Sequence, residues 1–161
     1  MNNLTTTFQH PFLAGLDEGH QQIFLQGAKE QLFEPGEVIF REGDPATQLY
    51  LIQLGRVALE AGAPGGLPAR IQVLGEGEVL GWSWLFPPFA WHFQARATEP
   101  TRALCCDGGH LLVHAEENPA FGYAVMRRFS QLVIQRLQAT RRKLALAQAA
   151  AVEPVVAPEA E

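Results

Sequence analysis

The chain has 161 residues, of which 47% are hydrophobic, and it carries a formal net charge of −5. This length and apolar content suit one domain with a normal core and exclude a wholly disordered chain. The acidic balance argues against a protein that coats nucleic acid, and no apolar run approaches the ~20 residues that span a bilayer. We therefore expect neither DNA nor a membrane as a partner.

The first 107 residues predict a short helical region followed by many short strands. Turn residues and spaced apolar positions between residues 10 and 28 predict the helical region, which we expect to be broken near Gly19. From residue 29 onward, alternating apolar and polar residues are interrupted by turns at roughly 8–12-residue intervals, a spacing typical of antiparallel sandwiches and barrels. The clearest turns contain Gly36, Gly43, Gly55 and Pro100.

The last third predicts helices. A short helix should end before Pro119, and about thirty residues without proline then predict a long helix. Its apolar residues recur at roughly heptad spacing and predict a homodimer interface, formed by Met126, Phe129, Val133 and Leu137. The arginines of this helix mostly lie off that stripe, which favours a solvated face over a nucleic-acid surface.

These elements predict one domain over residues 1–147, with strands over about 29–107 and C-terminal helices over about 109–147. The tail, residues 148–161, is rich in Ala, Pro and Glu, so we expect it to be disordered.

Residues 33–59, FEPGEVIFREGDPATQLYLIQLGRVAL, resemble the cyclic-nucleotide-binding domain, the sensor of catabolite activator proteins and fumarate–nitrate regulators. The resemblance rests on an ordered set of turn and strand residues: Pro35-Gly36, residues 38–40, Gly43-Asp44, residues 50–52, Gly55, Gly77 and Gly81. It extends from about residue 12 to 146. It implies a mainly β fold with flanking helices, namely an antiparallel β-roll (a double-stranded β-helix, or jelly roll) with an N-terminal helix, a short helix and a long C-terminal helix.

The resemblance also implies a ligand site, from which this sequence departs. In the family, a glutamate follows the last of these glycines and holds the ribose, and an arginine some ten residues on neutralises the cyclic phosphate. Here Trp82 follows Gly81, and the arginine position holds Trp91, or His92 if the gap in the alignment is moved. We therefore expect cyclic AMP to bind weakly or not at all.

Aromatic residues are concentrated in the same segment, where all three tryptophans and three phenylalanines fall between residues 82 and 93. These rings could fill the core, line an apolar or aromatic ligand pocket, or belong to a nucleotide pocket with unusual contacts. The candidate ligand-binding residues are Gly81, Trp82, Ser83, Trp84, Trp91, His92 and Phe93.

The resemblance and these substitutions predict a non-enzymatic sensing or regulatory module with a degenerate phosphate-binding segment. One alternative is genuine cyclic nucleotide binding through backbone amides near Gly81 and the side chain of His92. Another is a structural dimerisation module with an aromatic-filled roll. No resident cofactor is expected, apart from a possible cyclic nucleotide or apolar small molecule as ligand. Only about eighteen residues follow Lys143, too few for the family's DNA-reading domain, so output should pass through an unidentified protein partner or through dimerisation.

Three other patterns lead to no further site. His110 and His114 share a helix face, but no third ligand is evident, so no metal site is expected. Adjacent Cys105 and Cys106 would point to opposite faces of a strand, which predicts core cysteines without a disulfide and a reducing, cytoplasmic location. Ser83 lies in GWSWL, which is not a nucleophile-elbow pattern.

Overall fold

A computed structural model describes residues 10–62 and 66–151 of the chain. The described residues form eight strands, three α-helices and one short 3-10 turn. In chain order the elements are α1 (Glu18–Leu25), β1 (Lys29–Phe33), β2 (Val38–Phe40), β3 (Gln48–Leu54), β4 (Val57–Ala61), β5 (Ala69–Leu74), β6 (Val79–Leu80), the 3-10 turn (Ser83–Leu85), β7 (Gln94–Ala97), β8 (Thr101–Asp107), α2 (Gly108–Glu117) and α3 (Pro119–Ala151).

The strands form two four-stranded sheets, ordered β1-β8-β3-β6 and β2-β7-β4-β5, with every pair antiparallel. Except for β4 and β5, neighbours in the sheets are not consecutive in sequence, so the chain passes back and forth between the two layers as a β-roll does. The predicted fold class is confirmed. The predicted roll boundaries, 29 and 107, coincide with the start of β1 and the end of β8.

Both sheets contribute fully buried residues to the core. Leu49, Leu51, Val57 and Leu74 are fully buried. The turn between β3 and β4 requires Gly55, which has φ +99, because a Cβ there would overlap the Thr101 side chain and the Pro100 carbonyl. Glycine is thus required at this corner by both its backbone angle and the close approach of a second chain segment.

Before β1, the N-terminal segment is attached to the roll by a buried histidine. His10 is 3% exposed, its Nδ1 accepts a hydrogen bond from the Phe12 amide at 3.1 Å, and its Nε2 lies 3.1 Å from the Ile52 carbonyl oxygen. Nδ1 accepts, so the ring proton is on Nε2, where it donates to Ile52. The aromatic ring of Phe24, on α1, then contacts that of Phe121 with centroids 5.6 Å apart.

The predicted helical region consists of turns over residues 11–16 and then α1, which begins at Glu18, so its break lies directly before Gly19. One detail of the predicted elements is corrected. Strand β6 was missed because two residues are too short to show an alternating pattern.

The described residues separate into two compact units, residues 10–125 and residues 126–151. The helical assignment of α3 continues to Ala151, so residues 148–151, which were expected in the tail, are helical. The rest of the predicted tail, 152–161, lies outside the described residues. No helix of the described ranges is long and apolar enough to cross a membrane.

Candidate functional site

The segment from Gly81 to Phe93 connects β6 to β7 and contains every ligand-binding candidate. Gly81 has φ +95, the left-handed region that favours glycine, and turns the chain into Ser83–Leu85. Trp84 is 2% exposed, and its indole Nε1 donates a hydrogen bond to the Gly81 carbonyl at 3.1 Å. Ser83 is also buried, while Trp82 is partly buried. The turn is therefore held closed by its own tryptophan.

Trp91 occupies the interior of the roll next to Gly81. Its ring is 4% exposed and stacks on Phe40, with centroids 3.8 Å apart and planes 10° apart. A Cβ added to Gly81 would lie 2.5 and 2.7 Å from two carbons of the Trp91 ring. The indole is therefore in direct contact with the backbone of the turn whose amides would face a bound phosphate in the family.

Other rings extend this stack, and we call the set of Phe33, Phe40, Tyr50, Trp91 and Phe93 the aromatic cluster. Phe40 lies 6.0 Å from both Tyr50 and Phe93, and Tyr50 lies 6.3 Å from Phe33. Burial is the main cause that raises the pKa of Tyr50 to about 12, so its phenol is neutral at physiological pH. The cluster presents apolar ring faces and no fixed charge.

His92 lies outside this cluster. It is exposed, whereas its neighbour Trp91 is buried. Backbone bonds fix this orientation, because the Trp91 amide donates to the Asp44 carbonyl at 3.0 Å and the Gly43 amide donates to the Trp91 carbonyl at 2.8 Å. The seven candidates therefore differ in burial: Gly81, Ser83, Trp84 and Trp91 are buried, Trp82 and Phe93 are partly buried, and His92 is exposed.

A buried cation for a phosphate is lacking in the part of the chain that the structure describes, where the buried polar residues are His10, Ser83 and Thr101. Arg96, the arginine nearest the segment in sequence, forms an ion pair with Glu60 at 3.0 Å and donates to the Gly36 carbonyl at 2.9 Å. The arginine is 38% exposed, so its guanidinium is held at the surface of the sheet.

A pocket of about 450 Å³ lies on the far side of the 3-10 turn, and sequence reasoning missed it. Its lining comes from three separate segments and includes Thr47, Gln48, Trp84, Phe89, Asp107 and Leu112. Only Trp84 belonged to the predicted site. The one signal in the sequence was Asp107-Gly108-Gly109, an acid at a helix start, which does not reveal which other segments meet it.

The structure also places the paired histidines and the adjacent cysteines. The rings of His110 and His114 contact each other with centroids 4.4 Å apart, so they share a helix face as expected. Within residues 10–62 and 66–151, no group of three His, Cys, Asp or Glu side chains could hold a metal ion. Cys105 and Cys106 are both buried and free, and burial is the main cause that raises the pKa of each thiol to about 12.

The predicted dimer stripe is only partly available at the surface. Met126, Val133 and Leu137 are 43%, 42% and 47% exposed, whereas Phe129 is 2% exposed within a single chain. The homodimer interface itself stays a prediction.

Two curated proteins are similar in sequence to this chain. The chain is 31% identical over 123 residues to a Rhodopseudomonas palustris protein named as a potassium channel protein, covering 76% of this chain and 28% of the relative. It is 26% identical over 136 residues to a CRP-like cAMP-activated global transcriptional regulator of Mycobacterium tuberculosis, covering 82% of this chain and 59% of the relative. The chain therefore spans less than two thirds of either curated relative.

A solved structure and a family model also match this chain. A protein from Geobacter metallireducens, whose name places it among cyclic nucleotide-binding proteins, superposes with a TM-score of 0.72 at 29% identity, over 80% of this chain and 92% of its own. The cyclic nucleotide-binding domain family matches residues 30–118, which include all eight strands except the first residue of β1. More than half of the sequence is matched, and the chain belongs to the cyclic nucleotide-binding domain family.

Proposed function

We propose that this chain is a non-enzymatic regulatory module whose roll interior is filled by its own side chains, so that cyclic AMP is not its ligand. The observation that carries the proposal is the position of Trp91, stacked on Phe40 and in contact with the Gly81 backbone. A side chain that already occupies this space would have to leave before a nucleotide could enter.

The electrostatics support the same conclusion. Truncating one partner of a buried charged pair typically costs about 2–5 kcal/mol, whereas micromolar binding totals only about −8 kcal/mol. Trp82 and Trp91 stand where the family has a ribose-binding glutamate and a phosphate-binding arginine. Neither indole can accept a hydrogen bond or carry a charge. The backbone amides of a short turn offset little of the binding free energy lost with these two side chains, since even a full helix dipole contributes roughly 0.3–2 kcal/mol.

Genuine nucleotide binding through His92 is less well supported. Its side chain is exposed, whereas that of Trp91 is buried. A phosphate held there would lie in solvent, where a single histidine gives little affinity.

Isothermal titration with cyclic AMP and cyclic GMP at neutral pH tests the proposal. We expect dissociation constants weaker than about 100 μM, which corresponds to binding weaker than roughly −5.5 kcal/mol. The double variant Trp82→Glu, Trp91→Arg should bind more tightly than the wild type if the segment is a converted phosphate site. Wild-type binding at a few micromolar would overturn the proposal.

A second candidate role, dimerisation through α3, is favoured by the exposed line of Met126, Val133, Leu137 and Leu144. Apolar residues at this spacing on one helix face are typical of helix–helix seams. Light scattering at tens of micromolar should give a dimer, and Val133→Glu with Leu137→Glu should give a monomer. Gln131→Glu with Gln138→Glu adds the same charge at exposed positions off the stripe and should leave the dimer intact. A monomeric wild type would exclude this role.

A further inference from the structure

The pocket beside the 3-10 turn contains none of the residues of the aromatic cluster. Its volume of about 450 Å³ falls within the ~300–1,000 Å³ that is usual for small-molecule sites. It lies entirely within residues 46–112, and three chain segments meet around it: the start of β3, the turn with Phe89, and the start of α2.

Backbone contacts hold the walls of this pocket in place. The Gly108 amide donates to the Thr47 carbonyl at 2.9 Å, and the Ala46 amide donates to the Phe89 carbonyl at 2.7 Å. A Cβ on Gly108 would lie 2.7 Å from the Cβ of Trp84, so α2 begins in direct contact with the tryptophan. The pocket is therefore already formed without a ligand, which lowers the ordering cost of binding.

Phe89 gives the pocket an unusual aromatic wall. It has φ +55, a left-handed conformation that is rare for a bulky residue, and the residue is 40% exposed. Turn geometry does not need a phenylalanine here, because glycine would suit this backbone better, and part of its apolar surface remains in solvent. A flat apolar molecule would cover the exposed ring, and Leu112 offers further apolar surface.

The pocket carries one charge, that of Asp107. Its Oδ1 accepts a hydrogen bond from the His110 amide at 3.0 Å as the N-cap of α2. The other lining residues are neutral, and none of them is Lys or Arg. A carboxylate attracts cations and repels anions, which disfavours a phosphate-bearing ligand at this place although the pocket adjoins the family's phosphate-binding segment.

From the preformed walls, the partly exposed ring and the single carboxylate, we propose that this pocket binds a small organic cation with a flat apolar body, such as an arylalkylamine in its ammonium form. The apolar body lies between Phe89 and Leu112, and the ammonium group donates to the Asp107 carboxylate. The site is separate from the roll interior, so it does not depend on whether a nucleotide can enter there.

The test uses 2-phenylethylamine as the probe and phenylacetate, of similar shape and opposite charge, as its control. Indole N–H resonances of the ¹⁵N-labelled chain are followed by NMR, with the Trp84 signal assigned through Trp84→Phe. We expect the amine to shift the Trp84 resonance saturably, because this indole lines the pocket, and phenylacetate to shift it weakly or not at all.

Cyclic AMP is titrated into the same sample. A shift of the Trp91 signal by the nucleotide would contradict the proposed function and leave the pocket proposal standing.

Two variants test separately how much the Asp107 charge and the Phe89 ring contribute to amine binding. Asp107→Asn keeps an N-cap residue and removes the charge, so it should weaken amine binding roughly tenfold while leaving the fold intact. Phe89→Gly suits the left-handed backbone, removes the ring, and should abolish saturation. Glu99→Gln, an exposed acid outside the pocket, should change nothing. The proposal is overturned if the amine does not saturate, if phenylacetate binds as well as the amine, or if Asp107→Asn binds the amine unchanged.

Discussion

Replacing Trp91 with alanine tests whether this ring completes the core of the roll. The side chain is 4% exposed and stacked on Phe40 at 3.8 Å. Removing a buried tryptophan typically costs about 3–5 kcal/mol, of which the stack supplies about 0.5–1.5 kcal/mol. Because domains are stable by only about 5–15 kcal/mol, we expect Trp91→Ala to fold with much reduced stability.

Urea unfolding followed by circular dichroism measures this loss. Phe86→Ala is the matched control, since this aromatic residue lies in the same segment but is 44% exposed. It should lower the unfolding free energy by less than about 1 kcal/mol. Free indole supplies a second measurement, because an apolar cavity in a core can bind a molecule of its own shape. At a concentration of about 100 times its dissociation constant, indole should raise the unfolding free energy of Trp91→Ala by about 2.7 kcal/mol. It should change the unfolding free energy of the wild type little.

The reasoning is refuted if Trp91→Ala loses no more stability than Phe86→Ala. Such a result would mean that the ring is easily replaced by solvent or by neighbouring side chains. The roll interior would then be accessible, and the argument against nucleotide binding would lose its steric part.

Three further predictions concern other buried groups. Gly81→Ala should lose at least about 2 kcal/mol of unfolding free energy, from its φ of +95 and the clash with Trp91, and Trp91→Leu should reduce that loss. Burial lowers the pKa of His10, although the carbonyls of Ile52 and Glu78 oppose the shift. The folded state therefore binds fewer protons than the unfolded chain, so stability falls as pH drops below about 6.5, and His10→Gln should remove this slope between about pH 7 and pH 5. Cys105 and Cys106, whose thiols have pKa values of about 12, should react with a disulfide reagent only on unfolding, and rapid native labelling would contradict their burial.

The roll could be predicted because its signals are local. The turn glycines require backbone angles that other residues rarely adopt, and strands of five to seven residues, such as β3, β4 and β8, show alternation or apolar runs within one window. Strand β6 could not be predicted, since its two residues are defined by pairing with Tyr50 and Leu51 rather than by a pattern of their own.

The site was harder to predict, for a reason of geometry. The departures at Trp82 and Trp91 could be read from sequence, but whether the rings line a space or fill it depends on Phe40, which lies on another strand. The pocket beyond the turn was invisible because Thr47, Phe89 and Asp107 come together only through tertiary structure. Likewise, heptad spacing identified the stripe on α3 without revealing that Phe129 is buried within one chain.

The order of strands in the first sheet has a consequence for how the chain folds. Strand β8 lies between β1 and β3, with Lys29 opposite Cys105 and Gln48 opposite Asp107. During synthesis, β1 and β3 must therefore wait for the chain to reach residue 107 before the sheet can close. Such long-range pairing makes folding slow and leaves strand edges exposed for association in the meantime. A nascent chain that is halted or truncated before β8 should therefore aggregate rather than persist as a smaller folded domain.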